Sequence, residues 1–222
     1  GYNSNNDHQE IVDRLENKDI GWAYADQSMF NPKLHNLMSL RKQIIKRPVI
    51  TTVEVLVKPV SSKNDMFFTG FVHKPYPPIY LELSRNAQFN SATVIRGTEG
   101  GIIPSLRQTG KVHFYHSAGE QDDYYDVTPE DLGIVQSSRA VDIPEEITRK
   151  NTKDKIESKV DAVDIAKETI KSGTSALSGN DGPMLSCIQL GAAIILQRAT
   201  GNDLGNCSKE VLRVLKSGAA LK

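Results

Sequence analysis

Residues 94–106 read "VIRGTEGGIIPSL". A β-forming run stops on Gly97, and a nucleotide-handling α/β enzyme places its charged ligands on such a turn, outside the end of a strand. After Glu99, however, the turn carries Gly100, Gly101, Ile102 and Ile103. A hard cation such as magnesium needs oxygen ligands, and two isoleucines supply none. Glu99 is a single carboxylate on a glycine turn, readable as a surface group or as a lone metal contact.

Outward from this turn, strands and helices alternate. Upstream, residues 8–17 form a short amphipathic helix on Ile11, Val12 and Leu15, and "IGWAYA" (20–25) reads as a buried strand. Asn31 caps a helix with Pro32 at its first position, and the helical pattern runs until Pro48 stops it. Residues 49–57, "VITTVEVLV", and 65–72, "DMFFTGFV", read as strands on either side of a polar turn. A helix follows near residue 78, then the strand that leads into the opening turn, and a further β-rich run at 110–117. The acidic stretch 118–134 reads as a turn, a short strand and a loop. From Lys150 the pattern is helical, at 153–172, 183–199 and 208–217. The alternation predicts an α/β layered domain. It occupies residues 9–222 after a polar, frayed start (1–8) and ends in the helical segment 150–222. With no initiating Met and no signal-like start, the chain reads as processed, trimmed or partial.

Composition narrows the functions. The chain of 222 residues carries 27 Lys and Arg against 27 Asp and Glu, so no global field draws it to nucleic acid or an anionic membrane. The apolar run Leu190 to Leu196 is far short of the roughly 20 residues a membrane span requires. Two cysteines, Cys187 and Cys207, with no CxxC and no clustered His, argue against a disulfide framework or zinc site. They point to a reducing compartment, cytoplasm or an organelle matrix or stroma.

Charge is uneven locally. Between Asp26 and Glu54 no acidic residue occurs, while Lys33, Arg41, Lys42, Lys46 and Arg47 fall in that interval. Such a cluster either forms a solvated helix face or neutralises a few phosphates in weak, salt-dependent binding. Arg41 also completes the apolar stripe Leu34, Leu37, Met38, Ile44 and Ile45. On an inward face its guanidinium requires an internal ion pair, a route to solvent or an anionic ligand.

Several other groups are weaker candidates. His113 and His116, three apart in a strand, fall on opposite faces and are no metal pair. Asp122, Asp123 and Asp126 sit in a turn that is rich in exposed residue types. The glycine-rich loop before Pro183 is a mobile connector or an anion site at a helix start. Ser175, Ser178 and Ser186 lie in no hydrolase motif.

Four stretches taken together carry a resemblance: "IGWAYADQSMFNPKLHNLMSLRKQIIKRP" (20–48), "DVTPEDLGI" (126–134), "GNDGPMLSCIQLGAAIIL" (179–196) and "EVLRVLKSGAALK" (210–222). In this order they resemble the C-terminal portion of anthranilate phosphoribosyltransferases. The resemblance implies an α/β domain of the nucleoside phosphorylase and anthranilate phosphoribosyltransferase type, a mixed sheet flanked by helices, with the family's small upstream helical domain absent from this chain. It implies that Arg41 occupies the place of the arginine that holds the acceptor's carboxylate. The family's metal-binding Asp-Glu pair falls on Ile102 and Ile103, and of its Gly-Pro-Leu-Thr-Asn-Pro loop only Pro59 survives in "VEVLVKP". The motifs "LRKQIIKRP", "LVKP" and "RGTEG" are more similar to a side branch of the family known for nucleic-acid binding without the enzyme's activity.

Three expectations follow. The first is a degenerate homologue acting by binding single- or double-stranded nucleic acid or a protein partner. The second is an active glycosyl- or phosphoribosyltransferase on an aromatic or nucleobase-like acceptor, with magnesium as cofactor only in that case. The third is a structural subunit of a homodimer or larger assembly.

Overall fold

The structure is a computed structural model, and it describes residues 8–44, 49–98, 101–148 and 162–221. In chain order the helices and strands are α1 (His8–Glu16), α2 (Gln27–Phe30), α3 (Pro32–His35), α4 (Met38–Gln43), α5 (Ile50–Val53), β1 (Met66–Phe71), α6 (Tyr76–Asn86), β2 (Ser91–Arg96), β3 (Gly110–Tyr115), β4 (Asp123–Val127), α7 (Glu145–Thr148), α8 (Ala162–Leu177), α9 (Pro183–Thr200) and α10 (Leu204–Lys216). The strands form one mixed sheet in the order β1-β2-β3-β4, with β3 and β4 antiparallel and Val112 opposite Tyr125. The α/β class expected from the alternation is the class observed.

The chain divides into two compact units, one comprising Gly1–Phe67, Pro78–Ala92 and Tyr115–Gln121, the other Phe68–Pro77, Thr93–Phe114 and Asp122–Lys222. In the second unit, α9 is apolar on nearly every side and buries Leu185, Cys187, Leu190, Ala193 and Ile194. Its Cys187, Leu190 and Ile194 share one core with Ile95, Leu106, Val112, Val127 and Ile134. Gly201, at φ 73°, terminates α9 in the left-handed conformation that a glycine adopts without steric cost. Asp203 then caps α10 by accepting a hydrogen bond from Asn206 N at 2.9 Å. That cap starts α10 four residues earlier than the apolar pattern predicts. A buried pair, Gln189 Nε2 donating to Ser208 Oγ at 2.9 Å, ties α9 to α10.

In the first unit, Tyr115 Oη donates to the Phe89 carbonyl at 3.2 Å and meets Ser84 Oγ at 3.1 Å, both buried. Arg85 stacks over the Tyr115 ring at 4.2 Å and donates to the carbonyls of Ala118 and Glu120.

Three sequence expectations fail here. Residues 20–25 form no strand, and Trp22 and Tyr24 are exposed. Residues 49–57 are α5 followed by a 3-10 turn at Glu54–Leu56, with Thr52 N and Val53 N both bonded to Val49 O. β-branched residues favour a strand only where a pleated, half-buried surface receives them, and Val49, Val53 and Val55 stand exposed. The helix expected up to Pro48 breaks at Asn36, which caps α3, and resumes as α4. The stripe therefore does not face a core: Leu37, Met38 and Ile44 are exposed. The expected helix at 153–172 is described from Ala162 onward, and its first nine positions lie outside the described residues.

The connection between the 3-10 turn and β1 is held by an ion pair, Lys58 Nζ to Asp65 Oδ2 at 2.8 Å. Burial alone raises the Asp65 carboxyl, but hydrogen bonds from Lys58 and Ser62 outweigh it and hold the group below its ordinary range. A carboxyl depressed in the folded state stabilises above its unfolded value and loses that contribution as pH falls through the folded one. Thermal melts on acidification below about pH 4 should therefore show wild type losing stability more steeply than Asp65→Asn. Parallel pH profiles would show that the pair is dispensable.

Candidate functional site

The turn after β2 is built from backbone. Ala92, Val94 and Ile95 are buried, and Arg96 is the first exposed residue of the strand. Gly97 N donates to Phe71 O at 3.2 Å, Thr98 N to Ile103 O at 3.0 Å and Gly101 N to Thr98 O at 3.1 Å. Gly97 also bridges Pro104 in antiparallel fashion. A Cβ on Gly97 would lie 1.3 Å from the carbonyl oxygen of Gly101, so no other residue can occupy this position without opening the turn. Glu99 and Gly100 lie outside the described residues.

The two isoleucines differ in kind. Ile102 is 39% exposed. Ile103 packs against the core that β2, β3 and α9 share, and its Cγ1 is 3.6 Å from where a Cβ on Gly191 would stand. The one polar side chain described in the turn is Thr98, whose buried Oγ1 has no hydrogen-bond partner. A single neutral hydroxyl between apolar neighbours is not a magnesium site, because that ion requires carboxylate or phosphate oxygens in near-octahedral array. Among the described residues, no three His, Cys, Asp or Glu side chains gather closely enough to hold a metal ion.

Arg41, on α4, is engaged internally. Its Nη1 and Nη2 donate to the two carboxylate oxygens of Glu54, at 2.5 and 2.9 Å, and both side chains are largely buried. This fork-to-fork geometry uses the donors that a ligand carboxylate would use. Sequence reasoning posed the ion pair as one alternative and left its partner unnamed. The signal was present, since Glu54 is the first acidic residue after Asp26. Of the other basic residues, Lys33 on α3 is exposed. Lys42 belongs to α4, with its side chain outside what is described, and Lys46 and Arg47 lie outside the described residues.

The secondary candidates have structural partners. Asp126 pairs with Lys111 at 2.9 Å, and Asp123 Oδ1 accepts from Tyr124 N. His113 lies between the Phe71 and Tyr124 rings, both at 5.5 Å, and burial, followed by the nearby Lys111 charge, pushes its pKa down. Ser178 Oγ donates to Thr174 O, Ser175 Oγ accepts from Asn180, and Ser186 Oγ accepts from Gln136. No helix among the described residues is long and apolar enough to cross a membrane.

Comparison with known proteins agrees with this architecture. No protein-family model matches the chain. Over 95 residues it is 35% identical to an uncharacterized protein of Aquifex aeolicus, covering 43% of this chain and 30% of that protein. Over 206 residues it is 22% identical to the anthranilate phosphoribosyltransferase of the same organism, covering 92% of this chain and 54% of the enzyme. Among solved structures it is similar to the anthranilate phosphoribosyltransferase of Saccharomyces cerevisiae in complex with 4-fluoroanthranilate, with a TM-score of 0.70 at 15% identity over 96% of this chain and 55% of that one. It is also similar to the same enzyme in complex with PRPP and Mg, with a TM-score of 0.60 at 15% identity over 85% and 48%. The fold is that of the anthranilate phosphoribosyltransferases, as the motif order implied, and the chain spans about half the length of the transferases it matches.

The two isoleucines make the turn testable. Ile103→Asp should destabilise the protein by about 2–4 kcal/mol, the cost of placing a carboxyl in an apolar core, whereas Ile102→Asp should stay within about 1 kcal/mol. Chemical denaturation of both variants would decide. Equal, small effects would mean that Ile103 is not a core residue and that the turn could accept the carboxylate pair.

Proposed function

We propose that this chain is an anthranilate phosphoribosyltransferase-fold homologue that has lost magnesium-dependent phosphoribosyl transfer and acts by binding, with nucleic acid as its partner. One observation carries the first part: Ile103, where the resemblance places a metal-binding carboxylate, is half-buried and packs against the hydrophobic core. Loss of the ligand here is not a conservative drift at a surface position. The side chain has been recruited into packing against α9, so that reinstating a carboxylate costs stability.

The segment free of acidic residues supports the choice of partner. Arg41 is neutralised by Glu54, and the other basic residues of the segment are Lys33, Lys42, Lys46 and Arg47. Four cations give modest, sequence-independent affinity that weakens steeply with salt.

A protein partner is the second reading, and the exposure of Leu40, Val49, Val53 and Val55 favours it. Docking of these apolar side chains would place the chain as a subunit of a dimer or larger assembly.

One set of titrations separates the readings. With single-stranded DNA, fluorescence anisotropy across a salt series should give a log–log slope of about −3, as expected for four phosphate contacts. Magnesium and phosphoribosyl pyrophosphate should produce no saturable heat in calorimetry. Magnesium-dependent transfer to anthranilate would overturn the proposal. A salt-independent DNA signal, or a constitutive complex in light scattering with no DNA binding, would transfer the role to the apolar segment.

A further inference from the structure

The stretch that replaces the family's Gly-Pro-Leu-Thr-Asn-Pro loop has a structure of its own. In the first unit, residues Val55 to Val60 curl beside Asp65, Met66 and Phe89 and line a cavity of about 250 Å³ that is open to solvent, with Val55 and Met66 exposed at its rim. An apolar cavity of about 150 Å³ is large enough to take benzene, so this one has room for a substituted six-membered ring. Its walls are Val55, Val57, Val60, Met66 and Phe89. It lies where the chain enters β1 and β2, whereas the degenerate metal turn lies where it leaves β2.

The polar corner of the cavity is rigid and chemically specific. Lys58 Nζ donates to Asp65 Oδ2 at 2.8 Å and to the Gln88 carbonyl at 2.9 Å, and stands 4.1 Å over the Phe89 ring. An ammonium has three donors, so one N–H has no partner among the described residues. Asp65 Oδ1 accepts from both N and Oγ of Ser62 at 2.8 Å, while Oδ2 accepts only from Lys58. One lone pair of Oδ2 therefore remains. The Asp65 backbone is fixed as well, its N donating to Asn90 Oδ1 at 2.8 Å and its carbonyl accepting from Asn90 N. The corner thus presents one donor and one acceptor side by side on side chains already held in place.

Charge decides which ligand suits it. Lys58 and Asp65 neutralise each other, so an anion entering the cavity meets the carboxylate and a cation meets the ammonium. Each would lose its hydration without net attraction. A neutral ring with a carbonyl adjacent to an N–H meets neither penalty: its carbonyl accepts from Lys58 and its N–H donates to Asp65, while the ring lies among the valines and Phe89. We propose that this cavity is a binding site for small neutral lactams and aromatic amides, the class to which a ring with an amide edge belongs.

The test uses 2-pyridone as the probe, with toluene and benzoate as controls, on the 222-residue chain. Methionine-methyl NMR reports location, because Met66 lines the cavity. The expected result is saturable binding of 2-pyridone with a Kd on the order of 1 mM, a shift of the Met66 methyl, and affinity at least about tenfold above both controls. Val60→Phe should fill the cavity and weaken binding about tenfold, with Val57→Phe as the substitute if the first variant melts early. Lys58→Met should abolish the preference for 2-pyridone over toluene. The proposal is overturned if 2-pyridone does not saturate, if toluene or benzoate binds equally well, or if binding is indifferent to both cavity-filling variants. None of these outcomes depends on whether the chain binds nucleic acid.

Discussion

The turn that leaves β2 exists because Gly97 has no side chain. Its α-carbon is pressed so closely against the carbonyl of Gly101 that a methyl group there would coincide with the oxygen. That contact closes the turn, brings Pro104 back beside Gly97 and delivers Ile103 to the core. Two things follow from one steric fact. The chain reverses at the end of the strand, where an α/β sheet presents ligands, and the residue two places past Gly101 is aimed at α9. The second consequence is used for packing, since Ile103 lies against the core.

The electrostatics repeat this pattern of internal satisfaction. A guanidinium that could reach out for a carboxylate is held by Glu54, and the Lys58 ammonium is held by Asp65. In both pairs the partners are partly buried, and removal of one leaves a charge without its compensation. Formal neutrality over the whole chain is thus mirrored locally in both pairs. The exposed pairs, Lys111 with Asp126 and Arg213 with Glu210, lie in water and contribute little.

What the sequence disclosed was the part of the fold in which local pattern and tertiary surroundings agree. The strands at 66–71, 91–96 and 110–115 and the apolar helix from Pro183 are recognisable because each buries the residues its periodicity sets apart. Residues 20–25 and 49–57 carry strand-like composition without a neighbouring ladder to receive it, and only tertiary structure reveals that no pleated surface waits for them. The apolar turn at Ile102 and Ile103 was visible in the letters. The difference between the two was not, because exposure at one position and packing at the next depends on Gly191 of a helix some 90 residues away. Likewise Arg41 could be singled out as needing a partner, but Glu54 reaches it only because 49–57 is helical and not extended.

The same folding decision explains the cavity. Had 49–57 formed a strand, Val55 and Val57 would have pointed to one face, as positions two apart in a pleat do, and the segment would have joined a sheet. Coiled instead into α5 and a 3-10 turn, the segment ends in an extended Val57 that swings Lys58 back toward Asp65. The cavity is therefore a product of how residues 49–57 fold. Fold and site are separable in this way because a core such as the one built on Ile95, Val112, Leu190 and Ile194 does not dictate which polar side chains the loops present.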